Sequence, residues 1–143
     1  MTKTAETPTD IRPGRALPVQ EKTFEAADLV MYGAATWDWH RLHYDPSFAA
    51  AMKLPGPVID GQIYGALFAK QAVAGLGPRA FVRRLNFRMR SMAFAGDTLR
   101  TEGEVDEVRS GPDGDVVVLN QRLSCGDRLI SEATTEVLLP PTG

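Results

Sequence analysis

From residue 81 onward the chain alternates apolar and polar positions with a period of two. Phe81, Leu85, Phe87 and Met89 fall on one face, and Arg84, Asn86, Arg88 and Arg90 on the other. This predicts a strand over 81–90, with Arg83 interrupting its apolar side. Further strands are predicted over 98–109, 115–125 and 128–139, separated by Gly96-Asp97, Gly111-Pro112-Asp113-Gly114 and Gly126-Asp127. Such short connections predict that the four strands are sequential antiparallel neighbours. A short first strand is predicted over 19–25.

Between the first strand and the later ones the pattern is helical. Leu29 to Ala35 is apolar nearly all round, with Asp28 suited to its first turn. Pro46 to Met52 predicts a second helix, with Asp45 as N-cap and Pro46 at the first helical position. The longest helix is predicted over about 61–74, with Asp60 as N-cap and Gly75-Leu76-Gly77-Pro78 ending it. From Ile63 to Val73 it carries a single charge, Lys70, so it belongs in the middle of the domain. The simplest packing is an α+β arrangement, a curved antiparallel sheet wrapped around one long central helix.

A chain of 143 residues fits one domain with a real core. A net charge of -2 gives no global reason to expect nucleic acid or an anionic membrane as partner. One cysteine, Cys125, excludes an internal disulfide framework and leaves too few thiolates for a structural zinc site. This fits a cytoplasmic location. Residues 1–18, with Pro8, Pro13 and Pro18, read as a flexible N-terminal arm, residues 19–139 as the domain, and residues 140–143 as a tail. No segment reads as a signal peptide or membrane span.

Candidate chemistry concentrates in Trp37-Asp38-Trp39-His40-Arg41-Leu42-His43-Tyr44-Asp45-Pro46, which holds both histidines. Asp38 stands five residues before His43. On irregular backbone the two can share one water, one accepting a proton while the other donates. An ordinary surface loop with a turn-forming Asp45-Pro46 is the competing reading of these residues alone. No dinucleotide fingerprint, Gly-x-Ser-x-Gly element or metal-ligand cluster is present.

Three landmarks, in order, resemble those of the MaoC-like hydratases and dehydratases, which have the hot dog fold. That family's Asp-x-Asn-Pro-x-His pattern, followed by Asp-Pro and Phe-Ala, is matched by the stretch from Asp38 to Ala49. Its hydrophobic-x-His-Gly pattern at the start of the central helix is matched by Val58-Ile59-Asp60-Gly61. Its Phe-x-Gly-Asp-Thr-Leu is reproduced by Phe94-Ala95-Gly96-Asp97-Thr98-Leu99. The resemblance spans about residues 19–139. Three positions depart from it. His40 stands for Asn, Arg41 for Pro, and Asp60 for the His before the helix glycine. These departures resemble divergent members of bacterial steroid and branched-acid degradation, some of which work as one subunit of a heteromer.

The resemblance implies a lyase that adds water to an enoyl-CoA or removes it from a 3-hydroxyacyl-CoA. It assigns Asp38 and His43 to acid-base catalysis. The thioester oxygen falls to the N-terminus of the central helix, where the Gly61 N–H is the expected oxyanion donor. His40 either orients Asp38 by hydrogen bonding or is a partly exposed loop residue, and Asp60 is expected to support the site or cap the helix. No cofactor and no metal are expected beyond the coenzyme A of the acyl-CoA substrate. The partner is expected to be a second copy, or another MaoC-like chain. A hot dog acyl-CoA thioesterase and a poorly active partner subunit are the rival functions. The Asp38-His43 pair and the Phe94 to Leu99 landmark favour the lyase.

Four further features carry expectations. Trp37, Trp39 and Tyr44 wall the cleft or fill core. Arg41 is an exposed side chain or meets a phosphate. Arg83, Arg84, Arg88 and Arg90 form a solvated strip or neutralise coenzyme A phosphates. Ala49, Ala50, Ala51, Gly65 and Ala66 make room for a bulky acyl group or let helices pack closely.

Overall fold

The computed structural model describes residues 8–142. The elements follow the order β1 (Gln20–Thr23), α1 (Ala26–Thr36), a 3-10 turn (Arg41–His43), α2 (Pro46–Ala51), α3 (Gln62–Leu76), β2 (Phe81–Met89), β3 (Thr98–Gly111), β4 (Gly114–Cys125) and β5 (Arg128–Leu139). One five-stranded antiparallel sheet has the order β1-β3-β4-β5-β2. The expected α+β arrangement is present, with the sheet packed on α3.

One expected adjacency is wrong. β3, β4 and β5 form consecutive hairpins, but β2 pairs with β5 rather than with β3. Residues 90–97 are therefore a crossover from one edge of the sheet toward the other. Alternation reports which face a residue takes and says nothing about the neighbouring strand. The irregularity at Arg83 has a cause: the register shifts between Val82 and Arg84, so Arg83 is the extra residue of a bulge.

Residues 14–18 are docked rather than free. The Leu17 N–H bonds Gly103 O at 2.8 Å, and the Val105 N–H bonds Arg15 O at 2.9 Å. Leu17 is buried in the core. The first part of the expected arm, residues 1–7, lies outside the described residues.

The core has two apolar halves. Phe24, Leu29, Ile59, Ile63, Tyr64, Phe68, Leu99, Leu123 and Ile130 pack around the start of α3. Leu17, Ala72, Leu76, Val105, Val117, Leu119 and Val137 pack around its end. A belt of buried polar groups lies between them in sequence on every strand involved. Gln71 Nε2 donates to Pro18 O at 2.9 Å and Thr101 O at 3.1 Å. Gln121 Nε2 donates to Phe68 O at 2.8 Å and Gln71 Oε1 at 3.0 Å, and Thr135 Oγ1 donates to Gln121 Oε1 at 2.6 Å. Gly103 makes this possible, because a Cβ there would lie 3.0 Å from Gln71 Oε1 and 2.9 Å from Asn120 O.

α3 is not enclosed on all sides. Tyr64, Gly65, Phe68, Gln71, Ala72 and Gly75 are buried, whereas Ala66, Lys70, Val73 and Ala74 are exposed. The sheet covers one face of the helix and leaves a mostly apolar strip outward. Gly65 serves packing, since a Cβ there would lie 2.9 Å from the Phe87 ring. Ala50 and Ala51 are exposed.

Candidate active site

α1 ends where the site begins. Trp37 takes the left-handed conformation, with φ 58°, and its N–H returns to Gly33 O. The Asp38 N–H bonds the same oxygen at 3.0 Å. Gly33 is needed there, because a Cβ on it would stand 2.8 Å from the Asp38 carbonyl oxygen. The chain then turns through the 3-10 segment Arg41–His43. These two turns bring Asp38 and His43 to one crevice, lined also by Leu29, Tyr32, Gly33, Asp60 and Ile63. His43 Nε2 stands 3.9 Å from Asp38 Oδ2.

His43 is held from behind. Its Nδ1 is 2.7 Å from Val58 O. A carbonyl only accepts, so Nδ1 carries the hydrogen and Nε2 faces the crevice. Val58 is itself fixed on two sides. Its N–H bonds Leu42 O at 2.9 Å, and the Ile59 and Ala95 N–H groups bond Ala93 O and Pro57 O at 2.8 and 2.9 Å. Phe94, opposite Val58 in an isolated bridge, donates its N–H to Asp97 Oδ2 at 2.9 Å. The Phe94 to Leu99 landmark thus braces the segment that holds His43.

Asp38 Oδ1 accepts the His40 N–H at 3.2 Å. That bond outweighs the opposing effect of burial and, helped by Asp60 and His43, holds the Asp38 carboxyl below the usual carboxylate range. Asp38 is therefore ionised at neutral pH. Of the two readings of His40, the exposed loop residue is the one its ring follows. Its ring does not orient Asp38, because Nδ1 accepts the Leu42 N–H at 3.1 Å and caps the 3-10 turn. The backbone of His40 does the orienting. An Asn at this position would cap the turn equally well.

Asp60 is buried and sits just before α3. One of its oxygens accepts the Gln62 N–H at 2.9 Å, so it supports the helix start, but from one residue before the cap rather than as the expected N-cap. Gly61 stands at the cap position, and its N–H has no acceptor among the described residues. The Met89 side chain rests against Gly61 where a Cβ would otherwise be. Ligand-type atoms of Asp38, His43 and Asp60 lie within 4.8 Å of one another. The 3.9 Å between Asp38 and His43 exceeds the about 3.3 Å edge that bonds of about 2.0–2.1 Å impose on a tetrahedral metal.

Tyr32 joins the site without any signal in the sequence. Burial first, then the charges of Asp60 and Asp38, push its hydroxyl toward weaker acidity, so it stays a neutral phenol beside them. Trp37, Trp39 and Tyr44 neither wall the crevice nor fill core. They are exposed and stack edge to face with centroids 6.1 and 6.3 Å apart. Arg41 is exposed and paired with Asp45 at 2.8 Å. Arg83 and Arg90 are paired with Glu136 and Glu132. A broader concavity of about 1130 Å³ lies elsewhere, against the outward Asn86, Arg88, Glu102, Asn120, Arg122 and Glu132. Its mixed charges and shallow form give no convergent chemistry, and the narrow crevice is the candidate site.

The curved antiparallel sheet packed on α3 defines a hot dog protein. Comparison with known proteins agrees. The profile of the MaoC like domain matches residues 6–124. The chain is 30% identical over 105 residues to the (R)-specific enoyl-CoA hydratase of Aeromonas caviae, covering 71% of this chain and 75% of that one. The solved (R)-hydratase of A. caviae superposes with a TM-score of 0.84 at 26% identity, over 93% of this chain and 100% of that one. R-hydratase PhaJ1 of Pseudomonas aeruginosa gives 0.85 at 22% identity, covering 97% and 89%. The ChsH1-ChsH2 complex of Mycobacterium tuberculosis gives 0.79 at 20% identity, covering 97% and 99%. The chain belongs to the MaoC-like family. Among the described residues, no helix is long and apolar enough to cross a membrane.

Proposed function

We propose that this protein is an enoyl-CoA hydratase/3-hydroxyacyl-CoA dehydratase, with coenzyme A present only as part of the substrate. The observation that carries this is the convergence of Asp38 and His43 beside the start of α3. The similarity to the A. caviae hydratase supports it. Asp38 and His43 Nε2 hold one water. One of the two takes a proton from this water as its oxygen bonds to C3, and that proton is handed on to C2, so the H and OH of one water are added and both groups end as they began. Negative charge gathers on the thioester oxygen as C2 becomes enolate-like, and the unpaired Gly61 N–H at the positive end of α3 meets it. Dehydration runs the same steps backward. Pure protein mixed with short, long, branched and ring-bearing enoyl-CoAs should remove the conjugated thioester absorbance of at least one. Release of free thiol without that loss would instead identify a thioesterase.

Two copies are expected to join through β2. This strand has β5 on one side and no partner on the other among the described residues, and it exposes Phe81 and Met89. A bare nine-residue edge invites pairing, and a two-fold axis would continue the sheet across it. The same edge serves a related chain if the assembly is mixed. Sedimentation should show a dimer at micromolar concentration. A fully active monomer would defeat this expectation.

A further inference from the structure

We propose that Arg128 is a positioning residue for the reaction, which sets the direction of the His43 imidazole from outside the crevice by tying down the crossover at 90–97. The proposal rests on the hydratase reading and extends its machinery to the β4–β5 hairpin.

The order of the strands brings Arg128 to the crossover. Gly126, with φ 57°, turns β4 into β5, and Arg128 opens β5 opposite Cys125. Because β2 lies beside β5, the chain leaving β2 runs past that opening. The Arg90 and Ser91 N–H groups bond Ile130 O at 2.8 and 3.3 Å, and Ser91 Oγ donates to Leu129 O at 2.6 Å. Arg128 continues this line and meets the crossover at two points. Its Nη1 donates to Met92 O at 2.9 Å, and its Nη2 to Asp97 Oδ2 at 3.1 Å. The guanidinium also lies 5.9 Å from the centre of the Phe94 ring.

Between these two anchors stand the residues that grip the segment behind His43. Asp97 Oδ2, the oxygen that Arg128 binds, also accepts the Phe94 N–H at 2.9 Å. Phe94 faces Val58 in a bridge. Ala93 O accepts the Ile59 N–H at 2.8 Å, and the Ala95 N–H donates to Pro57 O at 2.9 Å. Val58 O in turn meets His43 Nδ1 at 2.7 Å. A connected set of hydrogen bonds therefore runs from the guanidinium to the imidazole.

The arginine is better suited to position than to stabilise. Its ion pair with Asp97 is partly exposed, with side chains 42% and 27% accessible, and such pairs add little to stability. The planar fork nonetheless holds two acceptors at a set spacing, which the point charge of a lysine does not do. A change in that spacing moves Val58 O, and with it the ring whose Nε2 faces Asp38.

Arg128→Met keeps the stem and removes the fork, whereas Arg128→Lys keeps the charge without the fork. Turnover on an accepted enoyl-CoA should fall by about 10- to 100-fold in Arg128→Met, the scale for misplacing a reacting group. The loss should lie in kcat with KM little changed, and Arg128→Lys should recover part of it. Tm should move little in either variant. The ring signals of His43 in nuclear magnetic resonance spectra report its tautomer, and His43→Ala separates them from those of His40. In the ligand-free parent they should show the hydrogen on Nδ1. In Arg128→Met they should shift toward a mixture of tautomers, and less so in Arg128→Lys. These signals need no substrate, so a parent that turns over no enoyl-CoA sinks the hydratase reading and leaves them to decide on Arg128. His43 signals unmoved in Arg128→Met, with or without a loss of kcat, overturn the proposal, and so does an unchanged kcat. If that variant does not fold, the same results in Arg128→Lys overturn it.

Discussion

Asp38→Asn and His43→Ala should each lower enoyl-CoA hydration by about two to four orders of magnitude, the range for general acid-base groups. The amide oxygen introduced by Asp38→Asn can still accept the His40 N–H, so the local backbone survives while the base is gone. His43→Ala frees Val58 O but removes no core side chain, since His43 is only partly buried. Thermal unfolding should therefore move little in either variant. The loss should appear in kcat, because the interaction is used when the proton moves. Turnover at the wild-type rate in either variant, measured on a substrate the parent accepts, would remove the acid-base pair.

The largest effect on stability is expected from Gln121→Leu. This change preserves volume but deletes the centre of the buried polar belt. Thr135 loses its acceptor, and Gln71 Oε1 loses its donor, in places with no exposure to water. Each buried group left unpaired costs about 1–3 kcal/mol, so the total should be about 2–5 kcal/mol. Tm should fall by the order of 10 °C. Joint replacement of Gln71, Gln121 and Thr135 by Leu, Leu and Val should recover much of that loss, because no orphaned partner then remains. A single Gln121→Leu variant as stable as the parent would mean that water satisfies the belt, contrary to its burial.

The hairpins and helices were legible because their signals are local. Gly126-Asp127 turns β4 into β5, and Asp45-Pro46 starts α2 with Asp45 Oδ1 accepting the Ser47 N–H at 3.0 Å. Partners distant in sequence were not legible. Nothing in residues 81–90 distinguishes β5 from β3 as neighbour, since either would satisfy the same alternation. The pairing of Asp38 with His43 could be anticipated from spacing and resemblance. The placement of Tyr32 beside them could not, because in an apolar helix its hydroxyl has no local signature. His40 shows a subtler limit. Residue type pointed to a side-chain role toward Asp38, while the backbone N–H carries that bond and the ring closes a turn. The belt of Gln71, Gln121 and Thr135 reads in sequence as isolated polar residues on apolar faces, and only their meeting in space gives them a purpose.

The short segment from Pro57 to Gly61 has one more consequence. It carries Val58 O, which orients the imidazole, and three residues later the Gly61 N–H, to which the proposed mechanism brings the thioester oxygen. The crossover at 93–95 grips it from one side and Leu42 from the other. The two ends of the chemistry are thus mounted on one rigid gauge, whose span does not change with what the acyl tail is. On the proposed mechanism, discrimination between long and short tails is expected to lie outside this gauge. The acyl preference can drift there without recalibrating the distance between proton and carbonyl.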